Sequence, residues 1–122
     1  MRLYPDGWLC GTDSYGVEQA FGLSTDGQVE FYYNKKQVWA PQQRRAGSYV
    51  ALNNDGMLQV YDDNDNVVLS RGCGQSDNGM TPNRVALSNA GGFALAYQNG
   101  GIFKNIWSVN DEGKESGCDN SD

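Results

Sequence analysis

The chain contains no histidine. That excludes Ser-His and Cys-His nucleophilic pairs and most zinc sites. Cations are few as well: nine Lys and Arg stand against fifteen Asp and Glu, a formal net charge of -6 over 122 residues. A nucleic-acid partner, whose phosphates require clustered Lys and Arg, is therefore not expected, nor is attraction to an anionic membrane surface. No apolar run approaches the ~18 residues that cross a bilayer, so no membrane insertion is expected. The opening Met1-Arg2-Leu3-Tyr4-Pro5-Asp6-Gly7 lacks the apolar core of a signal peptide. Cytosolic synthesis and the mature form of a secreted protein both stay open. Cysteines number three, Cys10, Cys73 and Cys118, and their spacings match no metal or redox motif. One disulfide plus a free thiol, or three buried thiols, are the arrangements an odd count allows. A bridge to Cys118 would tie down the polar tail, residues 111–122.

Glycine and aromatics are what the chain has in quantity. Sixteen glycines are roughly twice ordinary usage, so the chain turns often. Three Trp, seven Tyr and four Phe argue against disorder, and the length suits one domain. Asp6-Gly7, Asp26-Gly27, Asp55-Gly56, Asn78-Gly79, Gly91-Gly92 and Asn99-Gly100 are tight-turn signals. Between them lie alternating runs such as Val29-Glu30-Phe31-Tyr32-Tyr33, Leu58-Gln59-Val60-Tyr61 and Phe93-Ala94-Leu95-Ala96-Tyr97. Period-2 alternation of this kind predicts strands, and no window sustains a helical stripe. The expected class is all-β.

Aligned by their turns, three stretches repeat, at about residues 21–40, 50–70 and 85–108. Each is a leucine (Leu23, Leu52, Leu87), a turn, an apolar strand, a second polar turn and a strand ending in a bulky apolar residue (Trp39, Leu69, Trp107). The turn glycines Gly27, Gly56 and Gly91 lie 29 and then 35 residues apart. A unit this small cannot bury its own apolar face, whereas three around one axis can. Leu23, Leu52 and Leu87, then Val29, Leu58 and Phe93, then Phe31, Val60 and Leu95 are expected to point inward, with Trp39, Leu69 and Trp107 in the middle. Trp8 lies outside the repeats.

A Ser/Asn-x-Asp-Gly turn with an apolar strand ending in Tyr, followed by a strand ending in Trp-Ala or Trp-Ser, resembles the monocot bulb-type mannose-binding lectins, as does the opening Leu3-Tyr4, Leu9 and Tyr15-Gly16. The resemblance covers about residues 2–110. It implies a β-prism II fold, three four-stranded antiparallel sheets with pseudo-threefold symmetry, in one domain over residues 1–110. It further implies mannose or mannose-rich glycans as partners, no catalytic activity, no metal or other cofactor, and a homodimer formed by exchange of C-terminal strands. The polar character of residues 111–122 weighs against that exchange here. Because alternate residues of a strand share a face, the family's Gln-x-Asp-x-Asn-x-Val-x-Tyr row presents amide, carboxylate, amide, methyls and phenol to the hydroxyls and ring of one sugar.

Carried over position by position, the first repeat supplies Ser24, Asp26, Gln28, Glu30 and Tyr32, where Asp26 and Tyr32 match. The second supplies Asn53, Asp55, Met57, Gln59 and Tyr61, where Asp55 and Tyr61 match. The third supplies Ser88, Ala90, Gly92, Ala94 and Ala96, where none matches, so silence toward mannose is expected there. The expected site residues are Ser24, Asp26, Gln28 and Tyr32, then Asn53, Asp55 and Tyr61. Asp26 and Asp55 have a plainer alternative as turn formers. A non-glycan interaction or defence module is the rival function; a two-carboxylate glycosidase using Asp26, Glu30 or Asp55 would need a deep cleft, which a prism of this size rarely provides. Asp62-Asp63-Asn64-Asp65-Asn66 fails the calcium-loop pattern, since Val67 stands where glycine is required and Cys73 where glutamate is. Lys35-Lys36 and Arg44-Arg45 are expected as solvated surface, and residues 71–84 as a long inter-repeat loop. Gln37-Val38-Trp39 resembles a trefoil element, but the 29-residue spacing is too short for a trefoil repeat.

Overall fold

The computed structural model describes residues 1–73 and 79–118. Asn78 and the middle of the 71–84 loop lie outside the described residues, as do the last four positions. The described chain forms twelve strands and no helix: β1 (Arg2–Leu3), β2 (Gly7–Thr12), β3 (Glu18–Leu23), β4 (Val29–Tyr33), β5 (Lys36–Trp39), β6 (Tyr49–Leu52), β7 (Leu58–Tyr61), β8 (Val67–Arg71), β9 (Arg84–Leu87), β10 (Gly92–Asn99), β11 (Ile102–Asn110) and β12 (Glu115–Gly117). They build three four-stranded antiparallel sheets, ordered β2-β3-β4-β5, β1-β6-β7-β8 and β9-β10-β11-β12. This is the expected all-β prism. Each sequence repeat supplies three strands. The fourth comes from outside it: β2 for repeat 1, β1 for repeat 2, and β12, within the polar tail, for repeat 3. Here β12 pairs with β11 of its own chain.

The threefold relation extends to detail. A bulge falls between Phe31 and Tyr32, between Val60 and Tyr61, and between Leu95 and Ala96. Such an extra residue bends the strand and raises its twist, which lets each sheet curl around the axis. Six turns share one hydrogen-bond pattern, beginning at Asp13, Ser24, Asn53, Asp62, Ser88 and Asn110. In each, the first residue's amide donates to the carbonyl four residues on, and its carbonyl accepts from the fourth residue of the turn. Its side-chain oxygen also accepts backbone amides: Asp13 Oδ1 from Tyr15 and Val17, Asp62 Oδ1 from Asn64 and Asn66, Asn110 Oδ1 from Glu112 and Lys114. The fourth residue has positive φ, and it is glycine in every case but Asp65. Short polar side chains are the ones able to mimic a backbone acceptor at this distance.

Inside, Phe21, Leu23, Val29, Phe31 and Trp39 face Val50, Leu58, Val60, Leu69 and Val85, Phe93, Leu95, Trp107, all buried. Phe93 is the hub of the rings: its centroid lies 4.5 Å from Phe21, 5.2 Å from Phe31, 5.1 Å from Trp39 and 6.1 Å from Trp107. Of the expected leucine trio, only Leu23 is fully buried. Leu52 and Leu87 are half-buried where β6 and β9 end. The positions two residues earlier, Phe21, Val50 and Val85, fill the core instead, because strand alternation puts both sets on the inner face and the earlier one nearer the axis. Trp39 and Trp107 are core, as expected. Trp8 is not: its indole lies on the outer face across Gly22, where a Cβ would come within 2.6 Å of it.

One carboxylate joins the three sheets. Glu115 Oε2 on β12 accepts from Trp39 Nε1 of β5 and from Arg71 Nε of β8, each at 3.0 Å. The Cys73–Cys118 disulfide, with Cα atoms 5.2 Å apart and a sequence separation of 45, fastens the same strand. Cys10 is a free, exposed thiol. Removing the bridge by Cys73→Ser with Cys118→Ser is expected to cost about 2–4 kcal/mol in urea unfolding, while Cys10→Ser leaves the midpoint unchanged.

The Asp13 turn carries a pH dependence. The Tyr33 hydroxyl donates to Asp13 Oδ2. That bond, with the turn amides, holds the Asp13 carboxyl below its ordinary 3.8, and the same bond pushes Tyr33 from 10.0 up to about 12. Asp62 is also lowered, first by the Asn66 amide and then by Arg45. A carboxyl lowered by folding stabilises above its unfolded pKa, and that contribution is lost as pH falls below 3.8 through the folded value. A phenol raised by folding stabilises below 10.0, and its contribution is lost as pH rises to about 12. Tyr33→Phe is expected to remove the Tyr33 share of the alkaline loss and weaken the acid one, read from urea midpoints across pH.

Candidate functional site

The carried-over rows lie on the outer faces of the sheets, beginning in the turns and running along β4, β7 and β10. On the repeat-1 face, Ser24 Oγ accepts the amides of Asp26 at 3.2 Å and Gln28 at 3.1 Å. Gln28 Nε2 donates to Pro41 O at 2.8 Å and Val29 O at 3.0 Å, which uses both its donors. It thereby secures the 40–48 loop, which Gln43 also ties to the turn through Val29 N and Gly27 O. Ser24 and Gln28 thus serve the fold first. Asp26 is exposed, and no described residue bonds its carboxylate. Glu30, in the valine position, is buried. Its carboxylate beside the Tyr32 hydroxyl, helped by burial, raises the Tyr32 pKa. Trp8 Nε1 is held by Asp6 Oδ1 at 3.0 Å, and its ring meets Tyr32 edge-on at 5.7 Å.

The repeat-2 face is more polar. Asn53 Oδ1 accepts the amides of Asp55 at 2.9 Å and Met57 at 3.0 Å, so it too caps its turn. Its Nδ2 remains, and donates to Gln59 Oε1 at 2.9 Å. Tyr61 Oη donates to the same oxygen at 2.6 Å, and Gln59 Nε2 donates to Ser70 Oγ at 3.2 Å. Gln59, merely a departure from the family's valine in sequence, is the centre of this network. Beside it Tyr61 stacks on Tyr49 at 4.8 Å, Tyr4 stands 6.0 Å from Tyr49, and the Arg2 guanidinium lies 4.2 Å over the Tyr49 ring. A hydrogen bond to Asp65 Oδ1 at 2.8 Å raises the Tyr49 pKa. Asp55 is exposed, and no described residue bonds its carboxylate. Tyr4, Tyr49, Arg2 and Ser70 were not among the site residues expected from sequence, because only the register Tyr49↔Tyr61 and the row Arg2↔Ala51↔Gln59↔Ser70 unite them.

On the repeat-3 face Ser88 Oγ accepts from Ala90 N, while Gly92 N is taken by the buried Gln19. Ala94 and Ala96 are buried. A recess of about 210 Å³ lined by Ala86, Ala94, Phe103 and Asn105 occupies the place of the polar row. The remaining loop features are structural: Asp62 caps its turn and holds Arg45 at 2.8 Å, and Lys35 reaches Glu18 only at 4.0 Å. No described helix is long and apolar enough to cross a membrane. Comparison of the chain with family models, curated proteins and solved structures finds no match.

Capping and exposed residues separate by mutation. Ser24→Ala and Asn53→Ala each leave turn amides without an acceptor and are expected to cost about 1–3 kcal/mol. Asp26→Ala and Asp55→Ala are expected to stay within about 0.5 kcal/mol of the parent, as measured by thermal and urea unfolding.

Proposed function

We propose that the protein is a carbohydrate-binding lectin of the bulb type, recognising mannose or mannose-containing glycans at the outer faces of repeats 1 and 2 without transforming them. The observation that carries this reading is the Asn53–Gln59–Tyr61–Ser70 network beside the stacked Tyr49 ring. Its neutral donors and acceptors complement the hydroxyls of a hexose, while the Tyr49 ring, packed between Tyr61 and the Arg2 guanidinium, braces the row. The members keep capacity to spare: Asn53 and Gln59 amides each hold a second hydrogen, and the Tyr61 and Ser70 oxygens can still accept.

Magnitudes rank the faces. A millimolar site is worth only about -4.1 kcal/mol, and losing one buried hydrogen-bond partner costs roughly 1–3 kcal/mol. Repeat 1, whose Gln28 donors are engaged elsewhere, is the weaker site, and repeat 3 has no polar row to offer. Two weak sites still give useful avidity on a multivalent glycan surface. A second reading, contact with a protein, draws on Ile102 and Phe103, exposed by 56% and 52% at the β10–β11 hairpin.

A glycan array probed with the purified chain, alone and with excess mannose, tests the proposal. Binding to mannose-rich glycans that free mannose abolishes is expected. Asp55→Ala should weaken it more than Asp26→Ala does. Binding to other glycans only would discard mannose while keeping the lectin. Binding to no glycan would sink the sugar reading in favour of protein contact.

A further inference from the structure

The repeat-1 sheet carries a trough that no part of the sugar row accounts for. Cys10, Ala20, Tyr32 and Gln37 are paired in register across β2, β3, β4 and β5 and therefore share the outer face. Two of the four side chains are small, so the sheet is hollow between taller neighbours. A cavity of about 480 Å³ results, lined by Cys10, Ala20, Thr12, Glu18, Lys35 and Tyr32. That volume falls within the roughly 300–1,000 Å³ of small-molecule sites, which also combine an apolar floor with a few polar groups. Here the floor is Cys10 and Ala20, one wall is the Tyr32 ring braced edge-on by Trp8, and the opposite rim is Thr12, Glu18 and Lys35. Glu18 and Lys35 are 4.0 Å apart and largely exposed. Each is free to turn to a hydroxyl, and their charges cancel, which favours a neutral occupant.

Tyr32 belongs both to this trough and to the row that starts at Ser24 and Asp26. We infer that the repeat-1 face binds a chain of sugars: one residue at the Asp26–Tyr32 row, with the next units of a neutral oligosaccharide lying over Cys10 and Ala20. This rests on the sugar-binding reading above. It also explains how a row with its Gln28 donors engaged still holds a ligand, since the trough adds contact area that a monosaccharide cannot reach.

Cys10 is a built-in reporter. Its free thiol is alkylated with a maleimide, alone and with mannose or an α-linked mannotriose, each at ten times the Kd measured for repeat 1 in the Asp55→Ala chain. Simple occupancy then predicts about tenfold slower alkylation with the trisaccharide and no slowing with mannose. Ala20→Trp, checked for folding by its thermal melt, is expected to abolish the affinity advantage of the trisaccharide over mannose. Trisaccharide binding with undiminished Cys10 reactivity, or an advantage that survives Ala20→Trp, would overturn the trough while the sugar reading stands. If calorimetry finds neither sugar bound, the sugar reading itself has failed and the trough falls with it.

Discussion

Every repeat of this chain makes a sheet with one apolar face and no partner of its own to cover it. Burying that face is the constraint from which the rest follows. Three such faces turned toward a common axis bury Phe21, Val50, Val85 and their equivalents against one another, and hydrophobic burial on this scale is the dominant favourable term in folding. The packing is not symmetric in chemistry. Repeats 1 and 3 bring Phe21, Phe31, Trp39, Phe93 and Trp107 to the axis, whereas repeat 2 brings Val50, Leu58, Val60 and Leu69. Repeat 2 has its aromatics outside instead, as Tyr49 and Tyr61.

Closure of the prism depends on the ends of the chain. Since each repeat supplies three strands, the fourth positions fall to β1 and β2 at one end and β12 at the other. Strand β12 is short and exposed, so its own ladder holds it weakly. Glu115 and the Cys73–Cys118 bridge make up the difference, the first by accepting hydrogen bonds from the other two sheets, the second by shortening the unfolded chain. The outer faces are consequently carried by a rigid frame, so their polar groups are held in place before any contact is made.

The same frame takes up side chains that would otherwise be free on the outer faces. A short polar residue opening each turn satisfies two amides, and Ser24 and Asn53 are both spent in this way. Asn53 keeps a hydrogen to give because an amide has a donor left when its oxygen is engaged, whereas Ser24 has only its hydroxyl hydrogen. Gln28 lost its donors to the 40–48 loop. The faces therefore differ through hydrogen-bond accounting within a shared backbone. Repeat 2 keeps a network of neutral donors and acceptors, repeat 1 keeps a carboxylate, a phenol and a trough, and repeat 3 keeps an alanine floor.

The all-β class, the three repeats and most of the core were readable from the sequence, because strand alternation and glycine turns act over a few residues and leave a local pattern. Val29, Phe31, Leu58, Val60, Phe93 and Leu95 face inward as the alternation requires. The pattern could not choose between Leu52 and Val50, which share a face and differ only in depth. Nor could it assign the partner of Cys73, the role of Glu115, or the position of Trp8 over Gly22, for these join residues far apart in the chain. The row positions were likewise readable by spacing, yet their availability was not. Whether Gln28 faces a ligand or a loop carbonyl, and whether Gln59 is a blemish or the centre of a network, is decided by strand register and loop packing. Local periodicity determined which residues point outward; only the tertiary structure decided which outward groups still have hydrogen bonds to give.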